Sequence, residues 1–143
     1  MCMAYQRRFE HREQAKAELP ELECRRLLAT RSRGRVGLTI GALPVIMPVE
    51  YRYDDGVITF GIEDDAKLEN AANGHVLAFE VDAYDPDSGC EWSVHVLGRA
   101  TVTTDSDALL SLLEAERAET SPGHAVRLLC EIVDGRFLAD SCT

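Results

Sequence analysis

Apolar and polar residues alternate along much of this chain with a period of two, which is typical of β-strands that bury one face. The longest such run covers residues 43–53 and places five side chains on one face: Val45, Met47, Val49, Tyr51 and Tyr53. Asp54-Asp55-Gly56 follows the run directly, and an Asp-Gly pair in this position predicts a hairpin turn. A return strand is therefore expected over residues 57–62.

The same pattern predicts further strands, separated by turns that are rich in glycine, proline and aspartate. They cover residues 35–40, 75–82, 92–104 and 125–133, with a last short strand over 136–138 after a turn at Asp134-Gly135. Pro48 has no N–H to donate, so its place inside a strand predicts an edge, a bulge or a ligand contact. Gly98, inside the strand over 92–104, predicts a bend in that strand.

The period changes to that of a helix in three places. Residues 22–33 predict an amphipathic helix, residues 65–73 a short helix ended by Gly74, and a run with Leu109, Leu112 and Leu113 a third helix. Helices among mostly antiparallel strands predict an α+β fold, and closure of the sheet into a barrel would remove its unpaired edges. We expect a polar N-terminal arm over residues 1–18 and a single domain over residues 19–143.

The composition is that of an ordinary globular protein of 143 residues, 45% of them hydrophobic and 28% charged. The five cysteines are odd in number and form no C-x-x-C pair, which argues against a disulfide framework or a zinc site and predicts a reduced, cytoplasmic protein. The first residues lack the apolar core of a secretory signal. No stretch is apolar over 18 residues, so no membrane segment is expected.

The net charge of −10 is unevenly distributed along the chain. Residues 1–35 hold nine basic and five acidic side chains, whereas residues 36–143 hold six basic and twenty acidic ones. An acidic body of this kind argues against general binding to nucleic acid, which needs basic surface. The basic first part of the chain is interpreted as a solvated helical tail.

Several weak motifs occur in a characteristic order along the chain. They lie at Glu23–Leu28, Gly34–Gly37, Pro44–Arg52, Lys67-Leu68, Val76–Asp82 and Trp92–Ala100. Together, over Glu21 to Leu138, they resemble the pyridoxamine 5′-phosphate oxidase-like split-barrel proteins, and in particular the small actinobacterial-type members. The resemblance implies a mostly antiparallel split β-barrel with flanking short helices.

This resemblance also implies a homodimer that binds FMN and a small-molecule substrate in a groove between its subunits. The second strand of the barrel would face the flavin ring through Pro48, Val49, Glu50, Tyr51 and Arg52. The phosphate would lie at the end of the third strand and in the following turn, with candidate contacts Ile62, Lys67 and Leu68. Trp92 and Ser93 would lie at the subunit interface. No catalytic residue is identified.

The segment after the third strand departs from the family pattern, which reads F-R-T-x-x-G-T/S-K-L in typical members. Gly61 replaces the usual arginine, Ile62 and Ala66 replace hydroxyl residues, and only Lys67 is retained. Three acids, Glu63 to Asp65, directly precede Lys67 and oppose a dianionic phosphate. We interpret this acidic turn as solvated rather than as a cation site.

Three hypotheses for the function follow. The first is an FMN-dependent oxidoreductase that passes hydride from a reduced nicotinamide to a small acceptor. The second is a split-barrel protein that has lost its flavin and acts as a non-enzymatic binding or stress-related module. The third is a relative that uses deazaflavin F420 or haem. His75 and His95 are expected to be packed or surface residues, and His124 a solvated loop residue.

Overall fold

The structure, a computed structural model, describes residues 17–104 and 123–137. These residues form β1 (Ala17–Glu18), α1 (Glu21–Leu28), β2 (Arg33–Ile40), β3 (Leu43–Asp54), β4 (Val57–Ile62), α2 (Ala66–Ala72), β5 (Val76–Tyr84), β6 (Glu91–Thr103), β7 (His124–Leu129) and β8 (Ile132–Phe137). The predicted helix with Leu109, and all of the predicted arm except its last two residues, lie outside the described residues. The expected hairpin at Asp54-Asp55-Gly56 is confirmed, with positive φ angles at Asp55 and Gly56.

The described strands form an antiparallel barrel that closes on itself. Around the barrel, the strands follow one another in the order β6, β5, β2, β3, β4, β7 and back to β6. This order confirms the expected α+β fold with a mostly antiparallel barrel. Closure is possible because β6 is long enough to pair with two successive strands along the same side. Its residues 92–97 pair with β8, and its residues 100–103 pair with β7.

Gly98 lies where the partner of β6 changes from β8 to β7. A Cβ at Gly98 would stand 1.6 Å from the carbonyl oxygen of Leu129, so the chain leaving β7 passes directly over this glycine. The Glu131 carboxylate, just beyond, accepts a hydrogen bond from the Arg99 amide at 3.2 Å. Gly98 therefore allows the close approach of a second strand, rather than only the bend that its sequence position predicts.

The last strands differ from the expected ones in their bounds. The strand predicted over 125–133 ends at Leu129, and β8 continues through the predicted turn at Asp134-Gly135. Gly135 lacks a side chain because of packing: a Cβ there would lie 2.7 Å from Cys24 Sγ and 2.9 Å from the Ser93 carbonyl oxygen. The predicted turn at Asp134-Gly135 is therefore wrong: Gly135 is a strand residue that allows close packing.

A helix closes each end of the barrel. Cys24 and Leu28 of α1 are fully buried at one end, and Ala72 of α2 is buried at the other, with Leu68 and Ala71 packed beside it. Asp65 caps α2 by accepting a hydrogen bond from the Lys67 amide. Neither helix is long and apolar enough to cross a membrane.

The cysteines only partly match the expectation of a reduced protein. Cys24 and Cys130 are free and buried in the core. Burial raises the pKa of both thiols, that of Cys130 to about 11, so neither is a reactive thiolate near neutral pH. Cys90, in contrast, is disulfide-bonded, and the prediction is wrong there.

We expect Gly98→Ala to lower the free energy of unfolding by about 3 kcal/mol, because the added methyl overlaps the Leu129 carbonyl oxygen. Gly37→Ala is the matched control, since its Cβ would meet only the Ala78 methyl at an ordinary 3.5 Å. Urea unfolding of both variants makes the comparison. Equal stability of the two would mean that β7 and β8 do not approach β6 as described.

Candidate functional site

Strand β3 changes its neighbours halfway along its length. Its residues 43–50 pair with β2, and its residues 51–54 pair with β4. The ladder between β3 and β4 stops at Tyr51 opposite Phe60, while β4 continues to Ile62 against β7. Among the described residues, no strand therefore pairs with the second edge of 43–50, and we call this stretch the open edge.

The open edge carries the backbone groups of every second residue. The Tyr51 amide donates to the Ser32 carbonyl at 2.9 Å. The N–H and C=O groups of odd-numbered residues therefore point towards β2, and those of even-numbered residues point away from β2, towards the open edge. The residues whose backbone groups point towards the open edge are Pro44, Ile46, Pro48 and Glu50. Because the two prolines have no N–H, the edge offers four carbonyl oxygens but only two amide donors. The expectation that Pro48 lies on an edge is confirmed.

Two arginines of β2 lie beside the end of the open edge. Arg33 is opposite Glu50 in the ladder, with its guanidinium 3.7 Å from the carboxylate, and Arg35 is opposite Pro48. Both line a cleft of about 300 Å³ together with Pro48 and two acids of β5, Glu80 and Asp82. Sequence reasoning missed these arginines, although their period-two spacing, on the face opposite to Val36, places them outside the barrel.

Arg35 holds two carboxylates that would otherwise repel each other. Its guanidinium lies 3.1 Å from Glu80 and 3.8 Å from Asp82, and these acids are on one face of β5. Burial raises the pKa of Glu80, and the neighbouring Asp82 raises it further, while Arg35 opposes the shift. Much of the charge of Arg35 is therefore offset locally. Arg33, in contrast, is 79% exposed, and its ion-pair partner among the described residues is Glu50 alone.

The residues expected at the flavin ring divide between two faces of β3. Pro48, Glu50 and Arg52 point outward, whereas Val49 and Tyr51 point into the barrel. Tyr51 is 3% exposed, and its hydroxyl donates to the Leu28 carbonyl at 2.7 Å. Its ring also meets the Phe79 ring edge-on, with 4.8 Å between centroids. The Tyr51 side chain thus joins β3 to α1, and its amide is bonded to Ser32, so neither group faces the open edge.

The residues expected at the phosphate are also separated. Ile62 is buried and Leu68 packs against the core. Lys67 is exposed, and its side chain lines a second cleft of about 800 Å³ between α2 and the β2–β3 turn, shared with Leu43 and His75. Lys67 therefore lies near the beginning of the open edge, about 20 Å of extended strand away from Arg33 and Arg35 at its end.

Trp92 and Ser93 lie at the start of β6, apart from the open edge. Trp92 packs partly against the core, and the Arg31 guanidinium lies 5.8 Å above its ring. Ser93 is opposite Asp82 and therefore one strand away from the cleft at Pro48. The fold brings Ser93 towards Arg35, but it brings neither Trp92 nor Ser93 to Lys67.

Comparisons with known proteins agree with this architecture. The sequence pattern of the family described as pyridoxamine 5′-phosphate oxidase matches residues 20–133. The uncharacterized protein Rv0080 of Mycobacterium tuberculosis is 37% identical over 134 residues, which cover 88% of each chain. An FAD binding protein from Mycobacterium smegmatis is 32% identical with a TM-score of 0.67, over 85% of this chain and 98% of the other. An FAD-binding protein from Mesorhizobium loti is 26% identical with a TM-score of 0.71, over 85% and 97%.

We expect the free energy of unfolding to fall by about 2–3 kcal/mol between pH 10 and pH 12 because of Tyr51. Burial raises the pKa of Tyr51 to about 12, so the folded state keeps its proton after the unfolded chain, with a pKa near 10, has lost it. The stabilising effect is complete below pH 10 and is lost as the pH rises towards 12.

Urea unfolding of wild type and Tyr51→Phe at pH 8, 10, 11 and 12 measures this effect. The variant should be about 1–3 kcal/mol less stable at pH 8, because the Leu28 carbonyl loses its buried partner. As the pH rises from 10 to 12, the variant should lose less unfolding free energy than wild type, because it lacks the Tyr51 hydroxyl. Some loss should remain, because the buried thiols of Cys24 and Cys130 titrate in both proteins. Parallel curves would exclude Tyr51 as the source.

Proposed function

Because this chain belongs to the pyridoxamine 5′-phosphate oxidase family, we propose that it binds a flavin nucleotide along the open edge of β3 and acts as an oxidoreductase. The observation that carries this proposal is the edge itself, where the backbone groups of Pro44, Ile46, Pro48 and Glu50 that point away from β2 have no partner strand among the described residues. Backbone groups of this kind need partners when a site excludes water.

The two prolines favour a heterocycle over another strand as the partner of this edge. A pairing strand needs regularly repeated amide donors, and Pro44 and Pro48 remove every second one. A flavin ring needs fewer: its pyrimidine side presents carbonyl oxygens and one N–H, which the amide and carbonyl of a single residue, Ile46 or Glu50, could satisfy. Glu50 does not add an uncompensated charge there, because Arg33 lies opposite.

The charges around the edge favour FAD over the FMN that the family resemblance first implied. The terminal phosphate of FMN would approach the acidic turn at Glu63–Asp65, where Gly61 provides no guanidinium. FAD distributes its charge over a diphosphate and can extend beyond the turn. Lys67 at one end of the edge, and Arg33 at the other, are the cations available to it.

The flavin, when bound, would supply hydride chemistry between a reduced nicotinamide and a small acceptor. The chain's own residues would hold and orient the ring through backbone groups, and the outward faces of Pro48 and Ile46 would exclude water from it. Among the described residues, we assign none as a proton donor or acceptor for the substrate, and hence no catalytic residue. This fits a protein that positions a cofactor.

We further propose that the chain forms a homodimer through the outer face of five adjacent strands. One row across β3, β2, β5, β6 and β8 is entirely apolar or glycine, as the strand registers show: Ile46, Gly37, Ala78, Leu97 and Ile132. Ile46 is 75% and Ile132 61% exposed in the single chain. A continuous exposed apolar row of this length is typical of an interface rather than of solvated surface. It begins at the open edge, so a second copy would cover the flavin.

The visible spectrum of the purified protein, followed by titration with FAD and with FMN, tests the flavin. We expect absorbance near 450 nm, about one flavin per chain, and tighter binding of FAD than of FMN. Absence of binding by either nucleotide would favour the non-enzymatic alternative. A Soret band would favour haem, and binding of F420 alone would favour a deazaflavin enzyme; each of these results would overturn the proposal.

Lys67→Ala should weaken flavin binding by about 1.5–3 kcal/mol, the range for a hydrogen bond to a charged group. Arg127→Ala is the control, because it removes an equal charge from the outer face of β7, which does not border the open edge. Flavin fluorescence quenching measures both affinities. An unchanged affinity in Lys67→Ala would remove this lysine from the site.

Leu97→Glu should dissociate the homodimer, with a dissociation constant raised by at least about 100-fold, because one charge from each copy would be buried in the interface. Leu129→Glu is the matched control: Leu129 is 48% exposed against 44% for Leu97, but it lies on β7, outside the apolar row. Sedimentation equilibrium distinguishes the two. A monomeric wild type, or a Leu97→Glu variant that remains dimeric, would contradict the proposed interface.

A further inference from the structure

Three potential metal ligands from three different segments meet at the end of the barrel that α2 closes. His124 Nδ1 lies 2.7 Å from Glu69 Oε1 and 3.9 Å from Asp64 Oδ1. One ligand atom of each residue falls within 4.8 Å of the other two. Asp64 belongs to the turn after β4, Glu69 to the first turn of α2, and His124 to the first position of β7.

The backbone fixes this convergence. His124 is opposite Ile62 in the last rung of the β4–β7 ladder, and Asp64 lies two residues beyond Ile62, in the turn that follows β4. Gly123 packs so closely against the turn that a Cβ would lie 2.8 Å from the Asp64 amide nitrogen. The Glu69 amide donates to the Asp65 carbonyl, which ties α2 to the same turn. The backbone therefore places the three residues side by side before any ligand binds.

Two of the ligand atoms are shielded from solvent and lack aligned hydrogen bonds. Glu69 Oε1 and His124 Nδ1 each expose less than 1 Å², and neither makes a hydrogen bond to the described residues. They approach to 2.7 Å without the alignment that a hydrogen bond requires. Buried polar atoms are normally satisfied, so such a pair indicates that a further group binds beside both atoms. The imidazole is 19% and the Glu69 side chain 29% exposed, whereas Asp64, at 84%, is free to rotate inward.

We propose that Asp64, Glu69 and His124 bind one divalent transition-metal cation. One imidazole nitrogen and two carboxylate oxygens form a mixed set of the type that Zn²⁺, Co²⁺ and Mn²⁺ accept, with water in the remaining positions. Adjacent ligands at about 2.1 Å from such an ion stand roughly 3 Å apart in octahedral and roughly 3.4 Å apart in tetrahedral coordination. His124 and Glu69, 2.7 Å apart, would separate by less than about 1 Å to bind the ion. The ligand set contains no thiolate, and the alkaline-earth ions lack the affinity for imidazole.

The site also accounts for the acidic turn that departs from the family pattern. Glu63 and Asp65 flank Asp64 and add negative potential around the cluster. A bound dication would offset these charges and fix the turn that joins β4 to α2. The proposal does not depend on the flavin, because none of its three ligands lies on the open edge.

Titration of the chelator-treated protein, free of flavin, with Co²⁺ tests the site by the visible absorbance of the bound ion, and calorimetry with Zn²⁺ measures the affinity. We expect one ion per chain. Glu69→Gln, which preserves the volume, and His124→Ala should each weaken binding by at least tenfold. His95→Ala is the matched control, since His95 Nδ1 also faces a carboxylate, that of Asp134 at 3.5 Å, but belongs to no three-ligand group among the described residues.

Binding that is lost in Glu69→Gln and His124→Ala but retained in His95→Ala supports the site. If His124→Ala does not fold, Glu69→Gln alone decides. Absence of stoichiometric binding, or affinity unchanged in Glu69→Gln, would overturn the proposal and leave His124 and Glu69 as an ion pair. Flavin binding measured in Glu69→Gln should be retained, so failure of the metal site and failure of the flavin proposal give different results.

Discussion

The point at which β3 leaves β4 determines most of what this molecule can do. Beyond the rung of Tyr51 and Phe60, β3 remains paired with β2, and no strand of the described part of the chain pairs with its other edge. Tyr51 anchors this point, because its amide bonds to the chain before β2 and its buried hydroxyl bonds to the end of α1. The barrel nevertheless closes, because β6 pairs in turn with β8 and β7 along one side. The open edge is thus a feature of a closed barrel.

Basic and acidic side chains lie in different places around the open edge. Arg33 and Lys67 lie near the ends of the open edge, where a nucleotide would extend. The acidic turn between β4 and α2 lies beside His124, where two carboxylates and an imidazole meet. The substitution of Gly61 for arginine and the acids that follow therefore act together: the same turn that disfavours a terminal phosphate provides ligands for a cation. We regard this pairing as the main way in which the chain differs from its family pattern.

The local elements could be predicted because they depend on near neighbours. The alternation over 43–53 reports one buried face, and the Asp-Gly turn encodes the hairpin; both were correct. The bounds of the last strands were predicted wrongly, because the sequence does not distinguish a glycine in a turn from a glycine that allows close packing. Only the contacts with Cys24 and Ser93 show that Gly135 is of the second kind. The candidate list was limited in the same way. It included Lys67 and Pro48, but it missed Arg33 and Arg35, whose role depends on lying opposite Glu50 and Pro48 in the ladder.

The sequence by itself determined the fold class and the acidic character of the turn, and it limited Pro48 to an edge, a bulge or a ligand contact, since each follows from residue type and short-range periodicity. The tertiary structure decided what those features lie next to. His124 was expected to be a solvated loop residue, and it became a candidate ligand only because the register of β7 on β4 brings it to Asp64 and Glu69, about 60 residues away in the chain. No hairpin turn joins β4 to β7, so their register is set by long-range pairing rather than by a local turn.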